Sequence, residues 1–335
     1  MLKRLHLPFA ILFLLFASLC LANSKIIWNK PSKWNAGLPN SIQVFQTNSS
    51  FASGILTTAA YCLFDLSDSD LELKVVSSPD GTAKTPLEFA QEETHHVYMV
   101  SNGGFFDTTH LVTVGLVISE GKFIGTDSGK KIQLYNGKNV TYYPMRGAFG
   151  VDANGKADIG WTYSLLHVKS DVWFYPEPSP NCFKCPPQKM PTINFPKGGK
   201  AWKVSNAVGG WPVLVKDGAV NVTSEQELTD PALVQTRNPR TAVCITKDKK
   251  IVVMAVDGRY TLSSGVLLSE LAEVLQELGC EEALNLDGGG STALIVNGFL
   301  TNRPSDAAGM RHVTSAVMLV SKTKLKEDHK QVLEI

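Results

Sequence analysis

The chain lacks an excess of either charge: 32 basic residues stand against 31 acidic ones. Removing residues 1–22 takes away Lys3 and Arg4 and no acid, which leaves 30 against 31. Such a balance supplies no positive field for nucleic acid or an anionic membrane surface, and it argues against both as partners. Metal-ligand spacing is also missing. His95, His96, His110, His167 and His312 form no HxxxH pattern, so no metal and no cofactor are expected. Past residue 22, no apolar run approaches the ~20 residues of a membrane-spanning helix, and no internal repeat is visible. Cysteine is sparse. Of the five after residue 22, Cys62, Cys244 and Cys280 lie in apolar segments and read as small core residues. Cys182 and Cys185 are too few ligands for a zinc site, and a local disulfide is expected there if the protein is exported.

The start of the chain fits export. Lys3 and Arg4 precede an apolar run from Phe9 to Leu21, and Cys20-Leu21-Ala22 offers small residues for cleavage. Residues 1–22 therefore read as a signal peptide, with a retained anchor as the alternative. Residues 23–54 read as a polar N-terminal arm, 55–321 as one domain, and 322–335 as a charged tail. Residues 175–200 hold seven of the 17 prolines. This Pro-rich insertion reads as a lid or binding loop.

Short apolar runs mark strands at Ala59–Phe64, Leu71–Val76, His96–Ser101, Val213–Val215, Ala242–Thr246, Ile251–Val256, Glu282–Leu286 and Val313–Val320. Ile251–Val256 is continuously apolar, the mark of a strand buried on both faces. Leu111–Val151 alternates such runs with Gly/Asn/Asp turns, as in antiparallel meanders. Pro86–Glu93 opens a short helix. Gly265–Leu278 carries an apolar stripe at helical spacing, with Ser263 or Ser264 as cap and Gly279 as stop.

One stretch asks for more than packing. Leu284-Asn-Leu-Asp-Gly-Gly-Gly-Ser-Thr292 runs a strand into an acid, three glycines and two hydroxyls. Strand alternation puts Asn285 and Asp287 on one face and Leu284 and Leu286 on the other. A two-residue Asp-Gly turn would not need Gly288, Gly289 and Gly290 together with Ser291 and Thr292. Asn102-Gly103-Gly104-Phe-Phe-Asp107 repeats the pattern of a buried strand ending in an amide, glycines and an acid, although the phenylalanines also suit a core. Asp257-Gly-Arg259 offers either a phosphate-binding guanidinium or a turn pair. Arg237-Asn-Pro-Arg240 adds another, with Arg240 the better placed. Gly209-Gly210-Trp-Pro-Val213 sets a glycine pair beside an aromatic, which reads either as a sugar platform or as core.

Taken in order, Asn102–Asp107, Gly209–Leu214, Asn238–Ala242, Asp257–Arg259, the Ser264–Gly279 helix and Leu284–Thr292 resemble the phosphodiester glycosidase family over roughly Ile55–Ser321. The Pro-rich insertion and the Cys182/Cys185 pair depart from its pattern. The resemblance implies hydrolysis of a sugar, such as N-acetylglucosamine, joined through its anomeric carbon to a phosphodiester. Asp287 and Asp107 are then the expected catalytic carboxylates. Arg240 and Arg259 would neutralise the phosphate, and Gly288–Gly290 would form an anion-binding nest. Asn102, Gly103, Gly104, Gly210, Asp257, Asn285, Ser291 and Thr292 complete the expected substrate site. A carbohydrate-binding module and a phosphodiesterase or nucleotide-phosphate enzyme are the alternatives. The expected fold is α+β, a single catalytic domain of mixed and antiparallel β-sheets flanked by helices.

Overall fold

The computed structural model describes residues 26–51, 54–78, 81–125, 129–164 and 172–325. The expected signal peptide, His167 and the end of the charged tail lie outside them. The first strands are β1 (Ile42–Ser50), β2 (Leu56–Phe64), β3 (Leu71–Ser77) and β4 (His95–Asn102). Short strands follow: β5 (Phe106–Asp107), β6 (Val112–Thr113), β7 (Val117–Ser119), β8 (Lys122–Gly125), β9 (Lys131–Tyr135) and β10 (Lys138–Tyr142). Next come β11 (Arg146–Val151), β12 (Ala157–Ser164), β13 (Val172–Tyr175), β14 (Lys200–Ala201), β15 (Asn206–Gly210), β16 (Val213–Lys216) and β17 (Ala219–Val220). The last are β18 (Arg240–Thr246), β19 (Ile251–Val256), β20 (Cys280–Asn285), β21 (Leu294–Val296), β22 (Phe299–Leu300) and β23 (Ser315–Lys324). The helices are α1 (Ser32–Asn35), α2 (Pro86–Glu92), α3 (Pro231–Gln235) and α4 (Leu268–Glu277).

Three sheets dominate. The first runs β1-β2-β19-β18-β20-β16-β17, the second β14-β13-β12-β11-β15-β7-β8 and the third β22-β21-β4-β23-β3. Every pairing among the described strands is antiparallel. This overturns the expectation of an α+β fold with mixed sheets flanked by helices: the chain is mostly β, and its longest described helix has ten residues. The physical reason lies in the core. Val44, Phe64, Val253 and Leu284 of the first sheet meet Phe149, Ile159 and Trp161 of the second and Leu73, Met99, Val317 and Leu319 of the third. Each sheet buries its inner face against the other two, so the central core needs no helical layer.

Helices cover only two outer faces. α4 packs Leu268, Leu271, Ala272 and Leu275 against Ala242, Met254 and Ala283, and α2 sets Phe89 against Val97, Val100 and Met318. The continuous run of β19 is thereby explained. Val253 and Ala255 face the central core, while Val252, Met254 and Val256 face α4. The cap of α4 differs from expectation: Glu270 accepts the Leu267 N–H at 3.0 Å, whereas Ser263 binds the backbone at Thr58 and Asp257. Thr85 and Glu88 form a reciprocal capping box on α2. Residues 42–50, expected within a polar arm, form β1 at the sheet edge and bury Ile42 and Val44.

Two disulfides are present. Cys182–Cys185 closes the local pair expected in the Pro-rich loop. Cys244 and Cys280, read as small core residues, are instead bonded across β18 and β20. Cys62 is buried and free. Among the described residues no helix is long and apolar enough to cross a membrane.

Candidate active site

Strand order brings the motifs to one edge. In the first sheet β18 lies between β19 and β20, both antiparallel to it. The ends of β19 and β20 therefore flank the start of β18. Val256 lies opposite Arg240 and Asn285 opposite Ala242, so Asp257, Arg240 and Asp287 emerge together.

Alternation survives past the end of β20. Leu284 and Leu286 enter the central core, and Ala283 faces α4. Asp287 leaves the strand half-buried, and its Oδ1 accepts the Gly288 N–H at 2.8 Å. Burial pushes its carboxyl up to about 6, against the Ser291 hydroxyl, the Gly288 N–H and the charge of Arg311. A carboxyl titrating near neutrality is suited to proton transfer or attack.

The three glycines admit neighbours. A Cβ on Gly288 would lie 2.6 Å from the Pro239 carbonyl oxygen. Gly289 has a φ of 60°, and a Cβ there would lie 3.0 Å from the Arg259 guanidinium. A Cβ on Gly290 would strike Arg311 and Asp306. Arg259 is exposed and takes a φ of 66°, uncommon outside glycine and concentrated at functional positions. Asn238 Oδ1 holds its Nε and Nη2 at 3.3 and 3.1 Å, and Ser305 takes Nη1 at 3.4 Å. Asp306 grips Arg311 bidentately at 2.8 and 3.1 Å. The glycine run thus has a guanidinium against Gly289 and another against Gly290. Gly288 and Gly289 direct their own N–H groups to Asp287 and to the Pro239 carbonyl, so these two donors are used within the loop and are not turned outward as a nest.

The other expected residues take different roles. Arg240 is 1% exposed and donates to the carbonyls of Leu233, Thr236 and Val266 at 2.7–3.2 Å. Its guanidinium holds the chain entering β18. Burial, then the charge of Arg259, lowers its pKa to about 10, which leaves it protonated at neutral pH. Asn102 is fully buried. Its Nδ2 donates to the Asp287 carbonyl at 2.8 Å, and its Oδ1 accepts from Thr241 Oγ1 and the Ala293 N–H at 2.8 and 3.2 Å. It clamps the Asp287 loop to the third sheet. Gly103, Gly104 and Gly210 lie where a Cβ would strike Ser315, the Gly209 carbonyl and the Asn285 carbonyl, respectively. Gly103 permits close approach to the neighbouring strand of its own sheet, and Gly104 and Gly210 permit approach between sheets. Asn285 Nδ2 donates to the Trp211 carbonyl at 2.7 Å, and Thr292 is buried behind the loop with its carbonyl bound by Asn302.

Asp107 sits in the β5–β6 turn. Its oxygens accept from the N–H groups of Thr109 and His110 at 2.7 and 3.2 Å and pair with His110 Nδ1 at 2.8 Å. These bonds, the His110 side chain foremost, lower its pKa to about 2. Asp257 is the contrasting case. It is 6% exposed, and burial raises it to about 6 against the Arg303 N–H, the Asn302 side chain and the Arg303 charge. By accepting the Arg303 N–H at 2.8 Å it anchors the loop that carries Arg311.

Three groups were not singled out in the sequence. Arg311 lies in a loop of Arg, Pro, Ser and Asp just before the last strand, a charge pattern that marks it only in hindsight. Arg146 lies 4.6 Å from the centre of the Trp211 ring, and Phe105 stacks on that ring at 4.1 Å. Trp211, read as either platform or core, is thus a half-buried member of a three-layer stack. Glu227 is fully buried and joins four elements through its carboxylate. Among the described residues no cluster of three or more His, Cys, Asp or Glu is placed to hold a metal ion.

The phosphodiester glycosidase profile matches residues 95–320, which span every element that meets at this edge. The chain belongs to the phosphodiester glycosidase family. It is 26% identical over 209 residues to mouse N-acetylglucosamine-1-phosphodiester alpha-N-acetylglucosaminidase, an alignment covering 62% of this chain and 33% of the mouse protein. A Bacillus subtilis prophage-derived uncharacterised protein is 35% identical over 107 residues, covering 32% of this chain and 16% of that one. This phosphodiester glycosidase homologue therefore spans a third or less of the length of these curated relatives. Its fold matches the zebrafish N-acetylglucosamine-1-phosphodiester alpha-N-acetylglucosaminidase catalytic domain, auto-inhibited by its pro-peptide. That match has a TM-score of 0.57 and 19% identity, over 89% of this chain and 88% of that one. A hypothetical protein from Synechocystis matches with a TM-score of 0.56 and 18% identity, over 84% and 62% of the two chains.

Substitution of Gly290 tests the arginine arrangement. The methyl group of Gly290→Ala overlaps the Asp306–Arg311 pair and must displace it. Turnover of a sugar-1-phosphodiester is expected to fall roughly 10²-fold, as when one charge-stabilising donor is lost. Stability should change little, because the atoms displaced are the ends of two partly exposed, flexible side chains. Unchanged turnover would show that Arg311 does not serve the reaction.

Proposed function

We propose that this protein hydrolyses the bond between the anomeric carbon of a sugar and a phosphodiester, with Asp287 as the reacting carboxylate. The observation that carries the reading is Asp287 itself, raised to about 6 by burial and followed by two glycines that each admit a guanidinium. The phosphate monoester released by cleavage at the anomeric carbon is already a good leaving group and needs its charge neutralised more than it needs a proton. Arg259 and Arg311 supply that charge, and Asp287 either attacks the anomeric carbon or removes a proton from water. Asp257 supports them by fixing the 302–311 loop. Asp107, half-buried and bound by its own turn, has no role in this scheme.

The sugar is proposed to be N-acetylglucosamine or a close relative, because the mouse, cattle and human relatives carry that sugar in their names. Secretion is proposed from the apolar N-terminal run and the two disulfides, which persist in oxidising compartments.

Hydrolysis of an α-N-acetylglucosamine-1-phosphodiester in ¹⁸O-water tests the reaction. Label in the free sugar is expected, from cleavage of the glycosidic C–O bond. Label in the phosphate would replace this reading with a phosphodiesterase. Binding without turnover would replace it with a carbohydrate-binding module.

A further inference from the structure

The Pro-rich insertion differs in charge from the rest of the chain. From Glu177 to Lys203 it contains Lys184, Lys189, Lys197, Lys200 and Lys203 against Glu177 alone. Past residue 22 the remaining chain holds more acids than bases, so the whole-chain balance conceals a basic surface. All five lysines are exposed. Lys200 lies 4.0 Å from Asp158. Among the described residues no carboxylate pairs with Lys184, Lys189, Lys197 or Lys203. Lysine on an edge strand deters pairing with other chains, which accounts for Lys200 in β14, at the edge of the second sheet. The other four lie outside that strand.

The segment is held in one shape. The Cys182–Cys185 bond closes a turn, and Tyr142 donates its hydroxyl to the Cys185 carbonyl at 2.6 Å. Tyr175 donates to the Thr192 carbonyl at 2.8 Å, and Thr192 and Phe195 exchange backbone hydrogen bonds at 2.6 and 3.0 Å. Asn181 Nδ2 donates to the Gln226 carbonyl at 3.3 Å. The next residue, Glu227, accepts the Val213 N–H, two residues beyond the Trp211 carbonyl that holds Asn285. The basic loop is thereby tied to the framework of the Asp287 strand. A charged surface fixed before binding loses less entropy on association.

We propose that this loop is an electrostatic docking surface for a polyanionic carrier of the substrate, a polymer that repeats the sugar-phosphodiester unit. The inference rests on the glycosidase reading, in which the bond cut adjoins a phosphodiester anion. A polymer of such units carries a negative charge on every repeat. Four lysines without carboxylate partners complement it, and repeats beside the docked ones reach Asp287 at a raised local concentration. Met190 and Ile193, 44 and 49% exposed in the same loop, make an anionic membrane the rival partner.

The test compares a polymer of α-N-acetylglucosamine 1-phosphate units with the methyl diester of one unit. The variant carries Lys184→Gln, Lys189→Gln, Lys197→Gln and Lys203→Gln together. Wild-type kcat/KM on the polymer should fall roughly 10-fold or more between about 20 mM and ~0.5 M salt, and far less on the methyl diester. The variant should match the wild type on the methyl diester, and on the polymer should lose both the low-salt rate and the salt dependence. A variant as fast as the wild type on the polymer at low salt, or equally slowed on both substrates, would overturn the proposal. If the four changes abolish binding to phosphatidylglycerol vesicles but leave the polymer rate alone, the surface serves a membrane instead. If neither substrate is cleaved, the glycosidase reading falls, and calorimetry with inorganic polyphosphate decides the surface by itself. Affinity roughly 10-fold lower in the variant supports it; equal affinities overturn it.

Discussion

Asp287→Asn is expected to remove activity and to stabilise the protein. Loss of the reacting carboxylate should lower kcat roughly 10²–10⁴-fold, while an amide oxygen can still accept the Gly288 N–H. The stability gain comes from the same burial that tunes the acid. Burial raises Asp287 from an ordinary 3.8 to about 6, so the folded state binds this proton more tightly than the unfolded state does. The carboxyl's contribution is fully present below pH 3.8, is lost as pH rises through about 6, and is absent above it. The difference amounts to up to about 3 kcal/mol at pH 7–8. The variant, having no proton to lose, should melt at nearly the wild-type temperature near pH 4 and clearly above it at pH 8. Wild-type kcat/KM should fall as pH drops through about 6 and the nucleophile or base is protonated. Melting curves and a pH–rate profile check both parts. A melting difference that does not vary with pH, or substantial turnover by the variant, would remove Asp287 from this role.

Glu227→Ala is expected to be among the most destabilising single changes. The carboxylate accepts the Gly147 N–H at 3.0 Å, Trp161 Nε1 at 3.0 Å, the Val213 N–H at 2.8 Å and Thr223 Oγ1 at 2.6 Å. It therefore ties β11, β12 and the start of β16 to the segment that follows β17. Burial raises its pKa, opposed by these donors and by the nearby charge of Arg146. Truncation leaves buried donors and a neighbouring cation without their acceptor, a loss of ~3–5 kcal/mol. Glu227→Gln keeps one acceptor oxygen but turns an NH₂ group toward a donor, so its cost should be intermediate. The damage should also reach the site, because Val213 follows the Trp211–Pro212 corner whose carbonyl holds Asn285. Calorimetric unfolding of the three proteins tests the order. A Glu227→Ala variant within ~1 kcal/mol of wild type would mean that water replaces the carboxylate.

Where a signal was local, the sequence determined it. Six consecutive apolar residues were enough to identify β19, because a strand packed on both faces needs nothing else. The period-two pattern across Leu284–Asp287 placed Asn285 and Asp287 on one face, and leucines at helical spacing with Gly279 behind them identified α4. The acid followed by three glycines was legible as a site for the same reason, since no turn requires so many residues without a Cβ.

Other features depended on which distant segments meet. Strands of two to four residues, such as β5, β6 and β21, carry too little periodicity to be read. Their pairing into three sheets that enclose one core removed the need for the expected helical layers. Cys244 and Cys280 looked like core residues until β18 and β20 became neighbours. Asp107 and Asp287 both lie in a turn chemistry that looks catalytic, but folding gives the first three hydrogen bonds from its own turn and desolvates the second, and that separates carboxyls held at about 2 and about 6. Arg240 and Arg311 exchange importance in the same way. Local sequence favoured Arg240, but the packing of α4 and the chain before β18 surrounds it with carbonyls, whereas the 302–311 loop folds back to set Arg311 against Gly290. A residue's chemical type is written in the chain, but its solvation and its partners are properties of the packed structure, and those decide which charge is left to act.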